Sequence, residues 1–227
     1  MKWKAVLFDL DGTLIETAPE IADAVNDTLR HFQLGEVTQA QVDGWIGQGT
    51  RELLVLALAH QCQCSVQEIR ESATLHDAMP VFETHYRSRC GTRSRLYPHV
   101  RETITALRAK GCRIAIVTNK ESHFTEAVLR AHGLQGCFDQ VISGDTYPTK
   151  KPDPSSVIST LAQWNIPAQD ALFVGDSSID AATARNAGMP VWLLPYGYNM
   201  GQSVEACKPD RVIGDCTDLL KNEGDLA

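Results

Sequence analysis

At 227 residues, 43% of them hydrophobic, the chain is long enough for one large domain or for a core with a smaller companion. Its 21 Lys and Arg against 28 Asp and Glu give a formal net charge of −7, and an acidic chain without a basic stripe is a poor match for nucleic acid. No stretch approaches the roughly 20 apolar residues of a membrane span, and seven cysteines are an odd number that suits free thiols in a reducing cytoplasm.

The basic start at residues 1–4 is no signal peptide, because Asp9 interrupts the apolar run that follows it. That run, Ala5–Phe8, reads as a strand buried on both faces, and it stops at Asp9-Leu10-Asp11-Gly12-Thr13. The next strand-like run begins only at Arg113, an interval of about a hundred residues where a crossover needs about a dozen. Most of the interval reads as helix. Ile21, Ala24, Val25, Thr28, Leu29 and Phe32 recur at i, i+3, i+4, i+7 spacing, residues 53–59 are the longest apolar run, and Ser65-Val-Gln-Glu68 is a capping-box pattern. Residues 17–88 are therefore expected as a helical cap, inserted into a core made of residues 1–16 and 89–227.

From residue 98 strand and helix alternate. A helix over 98–110 precedes Gly111, a strand over 113–118 follows, and a helix over 121–132 precedes Gly133. A strand at 141–143, a helix at 154–165, a strand at 171–174 and a helix at 180–187 before Gly188 continue the pattern. Strands at 191–194 and, more weakly, 211–213 complete it, and residues 222–227 read as a frayed end. The alternation predicts an α/β fold, a doubly wound parallel sheet with helices on both faces.

In such a sheet ligands bind outside the carboxyl ends of the strands. The first strand delivers Asp9 and Asp11 there, the second Thr118-Asn119-Lys120, the loop after the third Lys150-Lys151-Pro152, and the fourth Asp176 with Asp180 one helical turn on. Carboxylates crowded at one place do not all ionise cheaply unless a cation sits among them. Oxygen-only ligation without His or Cys suits Mg2+. Lys151, the Thr118 hydroxyl and the amides after Asp9 would complete a site for a phosphoryl group. An isolated Asp-x-Asp-Gly could also be a turn, whereas a calcium loop needs its glycine at position six and here it falls at four.

The ordered set D-L-D-G-T, V-T-N, K-P and G-D-S-x-x-D resembles the four motifs of the haloacid dehalogenase superfamily, in its phosphatase branch. The resemblance covers nearly the whole chain, the inserted cap included. It implies that Asp9 is the nucleophile that forms an aspartyl-phosphate, and that Asp11 is the acid for the leaving oxygen and then the base for water. It implies that Thr118 binds a phosphoryl oxygen and that Lys151, which directly precedes the proline, joins nucleophile to phosphate. Mg2+ would be held by the Asp9 side chain, the Asp11 carbonyl, Asp176 and, directly or through water, Asp180. Gly12, Thr13 and Asn119 fall in the same motifs as substrate-binding candidates. Within the superfamily the chain is most similar to bacterial phosphoglycolate phosphatases, through Asp11-Gly-Thr-Leu-Ile15, Thr17-Ala18-Pro19, Thr118-Asn119-Lys120 and Tyr196-Gly-Tyr-Asn199, departing from them at Glu16. That implies hydrolysis of 2-phosphoglycolate by a cytoplasmic monomer or homodimer whose partner is a small phosphorylated metabolite. A sugar phosphatase, a pyrophosphatase and a phosphomutase share the mechanism, and a receiver-type signalling module shares the residue types.

Two cationic candidates lie outside the motifs' catalytic positions. Gly47-Gln-Gly-Thr-Arg51 in the insertion is either a turn between helices or a loop that lowers onto the site, with Gly49 amides or Arg51 meeting a substrate carboxylate. Lys120 is either a second such cation or a surface lysine. Cys62-x-Cys64 has no second pair at zinc spacing and reads as free thiols. The chain also lacks a G-x-G-x-x-G after the first strand and a G-x-x-x-x-G-K, which removes the main support for nucleotide binding.

Overall fold

The four residues of β1, Ala5–Phe8, are all buried, and alternation sends them to opposite faces of a sheet. Val6 and Phe8 enter one apolar cluster, Ala5 and Leu7 another. The structure, a computed structural model, describes residues 2–221, so the segment 222–227 expected to fray lies outside the described residues. After β1 come β2 (Ile15–Glu16) and five helices, α1 (Ala18–His31), α2 (Gln39–Asp43), α3 (Thr50–Cys62), α4 (Val66–Arg70) and α5 (Ala73–Arg89). The chain returns through β3 (Arg95–Leu96) to α6 (Val100–Ala109), β4 (Arg113–Val117), α7 (Ser122–Ala131), β5 (Gln140–Ile142) and α8 (Ser155–Trp164). It ends with β6 (Ala171–Gly175), α9 (Ser178–Asn186), β7 (Val191–Leu193) and β8 (Arg211–Val212).

Six strands form one parallel sheet in the order β5-β4-β1-β6-β7-β8. Helices α6 and α7 cover one face through Val100, Ile104, Leu107, Val128 and Leu129. Helices α8 and α9 cover the other through Val157, Leu161, Ala181 and Ala184. The fold is doubly wound, as the alternation predicts. Strand β1 lies between β4 and β6, where the order reverses, so the loops leaving these three strands open the crevice that such sheets use for ligands.

Local differences from expectation have physical causes. Val141 is 37% exposed because β5 is an edge strand, where burial on both faces does not apply. Helix α9 starts at Ser178, two residues early, because the Ser177 hydroxyl and Asp180 carboxylate form a reciprocal capping box. The antiparallel pair β2–β3, with Ile15 opposite Leu96 and Glu16 opposite Arg95, is too short to leave a periodic signature. It closes the neck of the insertion.

The insertion is the helical cap. Ile21, Ala24, Val25, Thr28 and Leu29 form the buried face of α1, while Phe32 just beyond it is half-buried. They pack with Leu54, Leu58, Phe82 and Tyr86 into a second core that also takes in Phe124 of α7 and Tyr198. A fully buried phenylalanine such as Phe82 is worth about 3–5 kcal/mol against alanine. The Ser65–Glu68 capping box forms as expected, and all seven cysteines are free thiols. Glu20 on α1 is buried and accepts N–H donors from Gly91 at 2.8 Å and Ser94 at 3.0 Å, which fastens the returning chain to the cap. Burial raises its pKa against those hydrogen bonds.

Candidate active site

Asp9 directly follows β1, and its N–H bonds to the Val174 carbonyl at 2.9 Å, so the sheet ladder carries it to the edge. Asp176 directly follows β6, the neighbouring strand, and Asp180 sits in the first turn of α9. One oxygen from each lies within 4.8 Å of the others, and all three residues are buried. Lys151 Nζ is 2.7 Å from Asp9 Oδ1 and 2.7 Å from Asp180 Oδ1. Three carboxylates thus face one ammonium.

The electrostatics follow from that imbalance. Burial pushes the Asp9 carboxyl up to about 7, against the pull of Lys151 and with the help of Asp180. Burial, then Asp180 and Asp9, raise Asp176 well above the ordinary carboxylate range. Burial alone would lower the Lys151 pKa, but the charges of Asp180 and Asp9 hold it above its usual value. The cluster is short of positive charge, and its donors are all hard oxygens. A divalent cation fits it.

The carboxylates are supported by different donors. Asp180 Oδ2 accepts from the N–H of Asp176 at 3.1 Å, the N–H of Ser177 at 3.0 Å and the Ser177 hydroxyl at 2.6 Å, while Oδ1 takes Lys151. Both its oxygens are engaged in fixing the loop and the lysine. Asp176 Oδ1 accepts from the Thr13 hydroxyl at 2.5 Å and Oδ2 from the Tyr198 N–H at 2.6 Å. Gly12 and Gly197 flank it so closely that a Cβ on either would lie 2.4 or 2.2 Å from Asp176 Oδ2. Thr13 is fully buried and spends its hydroxyl on Asp176, and neither it nor Gly12 lines the cleft.

Strand alternation suggests that Asp9 and Asp11 point the same way, but β1 ends at Phe8 and Asp11 stands in the turn that Gly12 makes at φ +85°. Both nevertheless reach one cleft. Asp11 Oδ1 accepts from the Thr17 hydroxyl at 2.7 Å and Oδ2 from Lys120 Nζ at 2.9 Å. Lys120 is buried, not a surface lysine, and donates also to Tyr86 Oη at 2.6 Å. Burial would lower its pKa, but Asp11 raises it. Tyr86 was not singled out from the sequence, where helical spacing marks an aromatic as core and says nothing of its hydroxyl. The Thr118 hydroxyl accepts the Lys120 N–H at 3.2 Å. Asn119 Nδ2 donates to the Gly47 carbonyl at 2.9 Å and the Lys151 carbonyl at 3.1 Å, tying the cap loop to the lysine loop.

Thr118, Asn119, Lys120, Gly47 and Gly49 line the cleft with Asp9, Asp11 and Asp176, under apolar cap residues Ile21, Ile46, Leu53 and Phe82. Gly49 caps α3 at φ +92°, a conformation that favours glycine. Arg51, two residues on, does not turn toward the cleft. It lies on an outer groove with Arg70 and Ser72, and its Nη2 donates to the Arg70 carbonyl at 3.4 Å. The neighbouring lysines also separate, since Lys150 is exposed and meets Glu121 at 3.3 Å while Lys151 is buried between carboxylates.

The geometry has a family. The profile of the haloacid dehalogenase-like hydrolases matches residues 6–194. The chain is 41% identical over 218 residues to a phosphoglycolate phosphatase of Nitrosospira multiformis, covering 96% of this chain and 94% of that protein. A phosphoglycolate phosphatase of Vibrio cholerae is 37% identical over 218 residues, 96% of each chain. A crystal structure described as a predicted phosphoglycolate phosphatase from Haemophilus somnus superposes with TM-score 0.87 at 33% identity over 97% of both chains. CbbY from Rhodobacter sphaeroides, solved in complex with phosphate, shares the fold at TM-score 0.78 and 23% identity, over 96% of both chains. From the ordered motifs, the doubly wound core under a helical cap and these matches, this chain belongs to the haloacid dehalogenase-like hydrolase family.

Proposed function

We propose that the chain is a Mg2+-dependent phosphomonoesterase that works through an aspartyl-phosphate on Asp9 and takes 2-phosphoglycolate as substrate. The observation that carries this reading is the placement of Lys151 2.7 Å from both Asp9 and Asp180, with Asp176 in the same cluster and Asp11 on the same cleft. The relatives named phosphoglycolate phosphatase support the substrate. Residues 17–88 would be the cap and residues 1–16 and 89–227 the catalytic core. The setting proposed is the cytoplasm, and among the described residues no helix is long and apolar enough to cross a membrane.

The Asp9 oxygen not paired with Lys151 would attack phosphorus while the bond from phosphorus to the alcohol oxygen breaks. Asp11 gives its proton to that oxygen. It then takes a proton from the water that attacks the aspartyl-phosphate, and phosphate leaves with Asp9 restored. Lys151 holds Asp9 and one phosphoryl oxygen, and the Thr118 hydroxyl holds another. Asp9, Asp176 and the Asp11 carbonyl would hold Mg2+, with Asp180 directly or through water, while Asp180 also braces Lys151 and the loop. When bound, the ion supplies the positive charge that the carboxylates and a phosphate both lack.

Phosphate release from a panel of small phosphate esters, with and without Mg2+, tests the reading. 2-Phosphoglycolate is expected to be the best substrate, activity to need Mg2+, and Asp9→Asn to abolish turnover. Preference for a hexose phosphate would overturn the substrate. Near-normal activity in Asp9→Asn would overturn the covalent mechanism, and uptake of a single phosphate without release would favour a receiver-type module.

A further inference from the structure

Lys120 is a buried ammonium on the cleft wall with more donors than partners. Asp11 Oδ2 at 2.9 Å and Tyr86 Oη at 2.6 Å take two of its N–H groups. An ammonium has three, so among the described residues one donor is uncommitted. The side chain is only 2% exposed, and the open space it meets is the cleft. Of the residues lining that cleft, Lys120 is the one with a positive charge.

Its position is over-determined. Tyr86 stands with its ring 4.5 Å from that of Phe124 and 5.4 Å from that of Phe82, so its hydroxyl is fixed by packing. Asp11 holds the ammonium from the core and Tyr86 holds it from the cap.

On the mechanism proposed above, on which this inference rests, Asp11 protonates the leaving oxygen. A group attached to the carbon beside that oxygen then falls next to Lys120. We propose that Lys120, oriented by Tyr86, reads a carboxylate on the carbon adjacent to the leaving oxygen, so that the substrate class is the short phosphate esters of 2-hydroxy acids. The cap side of the cleft reinforces the choice. Ile21, Ile46, Leu53 and Phe82 dominate it, with Thr50 and the Tyr86 hydroxyl as its polar side chains, so most of a sugar's hydroxyls would be buried against apolar groups, which is penalised.

The test compares 2-phosphoglycolate with 2-hydroxyethyl phosphate, which has the same length and a neutral tail, with Mg2+ present. The wild-type chain should favour the carboxylate by roughly 10- to 100-fold in kcat/KM, the range of a charge-assisted hydrogen bond. Lys120→Met should bring that ratio to within about threefold of unity, by harming 2-phosphoglycolate more than the neutral ester. Tyr86→Phe keeps the ring, and should shrink the ratio several-fold through KM more than kcat. Should Lys120→Met fail to fold, the Tyr86→Phe ratio decides alone. Equal losses on both esters would show that Lys120 serves Asp11 only and would overturn the proposal, as would a wild-type ratio near one. A wild-type chain that released phosphate from no ester would instead sink the phosphatase reading itself.

Discussion

Replacing Gly197 by alanine should disturb the carboxylate of Asp176, one of the proposed metal ligands, without altering any charged group. A Cβ at 197 would lie 2.2 Å from Asp176 Oδ2 and 2.4 Å from its Cβ and Cγ, where ordinary contact begins near 3.4 Å. Asp176 must therefore move by about 1.2 Å. It has nowhere to go. Gly12 closes the other side, and the Thr13 hydroxyl and Tyr198 N–H hold both oxygens. Overpacking of this kind costs about 1–3 kcal/mol. For a chain of this length that lowers Tm by roughly 2–12 °C. A misplacement of about 1 Å in a site group costs on the order of 100-fold in rate. Calorimetry and phosphate release over a Mg2+ series would read both, and the Mg2+ midpoint should rise at least about tenfold together with the fall in rate. A Gly197→Ala chain with the native Mg2+ midpoint and rate would refute the argument that these two glycines exist to seat Asp176.

Two further outcomes are expected. With metal chelated, Asp9 holds a proton in the folded chain up to about pH 7 but loses it near 3.8 when unfolded, so its contribution to stability is present below 3.8 and is lost as pH rises to about 7. A cation must displace that proton. The stabilisation given by Mg2+ should therefore grow between about pH 4 and pH 7 and then level off, and a Mg2+ increment in thermal melts that ignores pH would contradict the assignment. The adjacent lysines should also part company. Lys151→Met removes the ammonium between two buried carboxylates, at about 3–5 kcal/mol in denaturant melts and with loss of turnover. Lys150→Met breaks only an exposed pair at 3.3 Å, worth no more than about 0.5 kcal/mol. Equal behaviour of the two variants would reject the distinction.

The alternation of strand and helix was readable because the central strands β1, β4 and β6 are short, largely apolar runs each followed by a polar residue, and each core helix from residue 98 on carries its own stop signal. Gly111, Gly133 and Gly188, just past the ends of α6, α7 and α9, all adopt positive φ. The candidate cluster was readable for a related reason. In a parallel sheet all carboxyl ends share an edge, so Asp9 and Asp176, far apart in sequence, could be placed at that edge without knowing the strand order; that β1 and β6 are neighbours came from the structure. The start of α9 is misplaced to residue 180 from sequence because the Ser177–Asp180 spacing reads there for its carboxylate and not as the capping box that the structure shows.

What stayed hidden were contacts between elements that the local pattern does not relate. Helical periodicity places Tyr86 in a core but does not say that its hydroxyl meets Lys120. A basic residue beside a glycine loop suggests a binding arm, yet Arg51 lies on the outer side of the cap. By itself the sequence determined the sheet, its connections and the edge where the carboxylates gather, since these follow from strand burial, chain direction and handedness, which repeat locally. Only the tertiary structure decided what Asp180 holds and which cation faces the cleft. The first depends on how the loop after β5 meets the start of α9, the second on how Phe82, Tyr86 and Phe124 seat the cap on the sheet, and packing between surfaces distant in the chain leaves no local pattern.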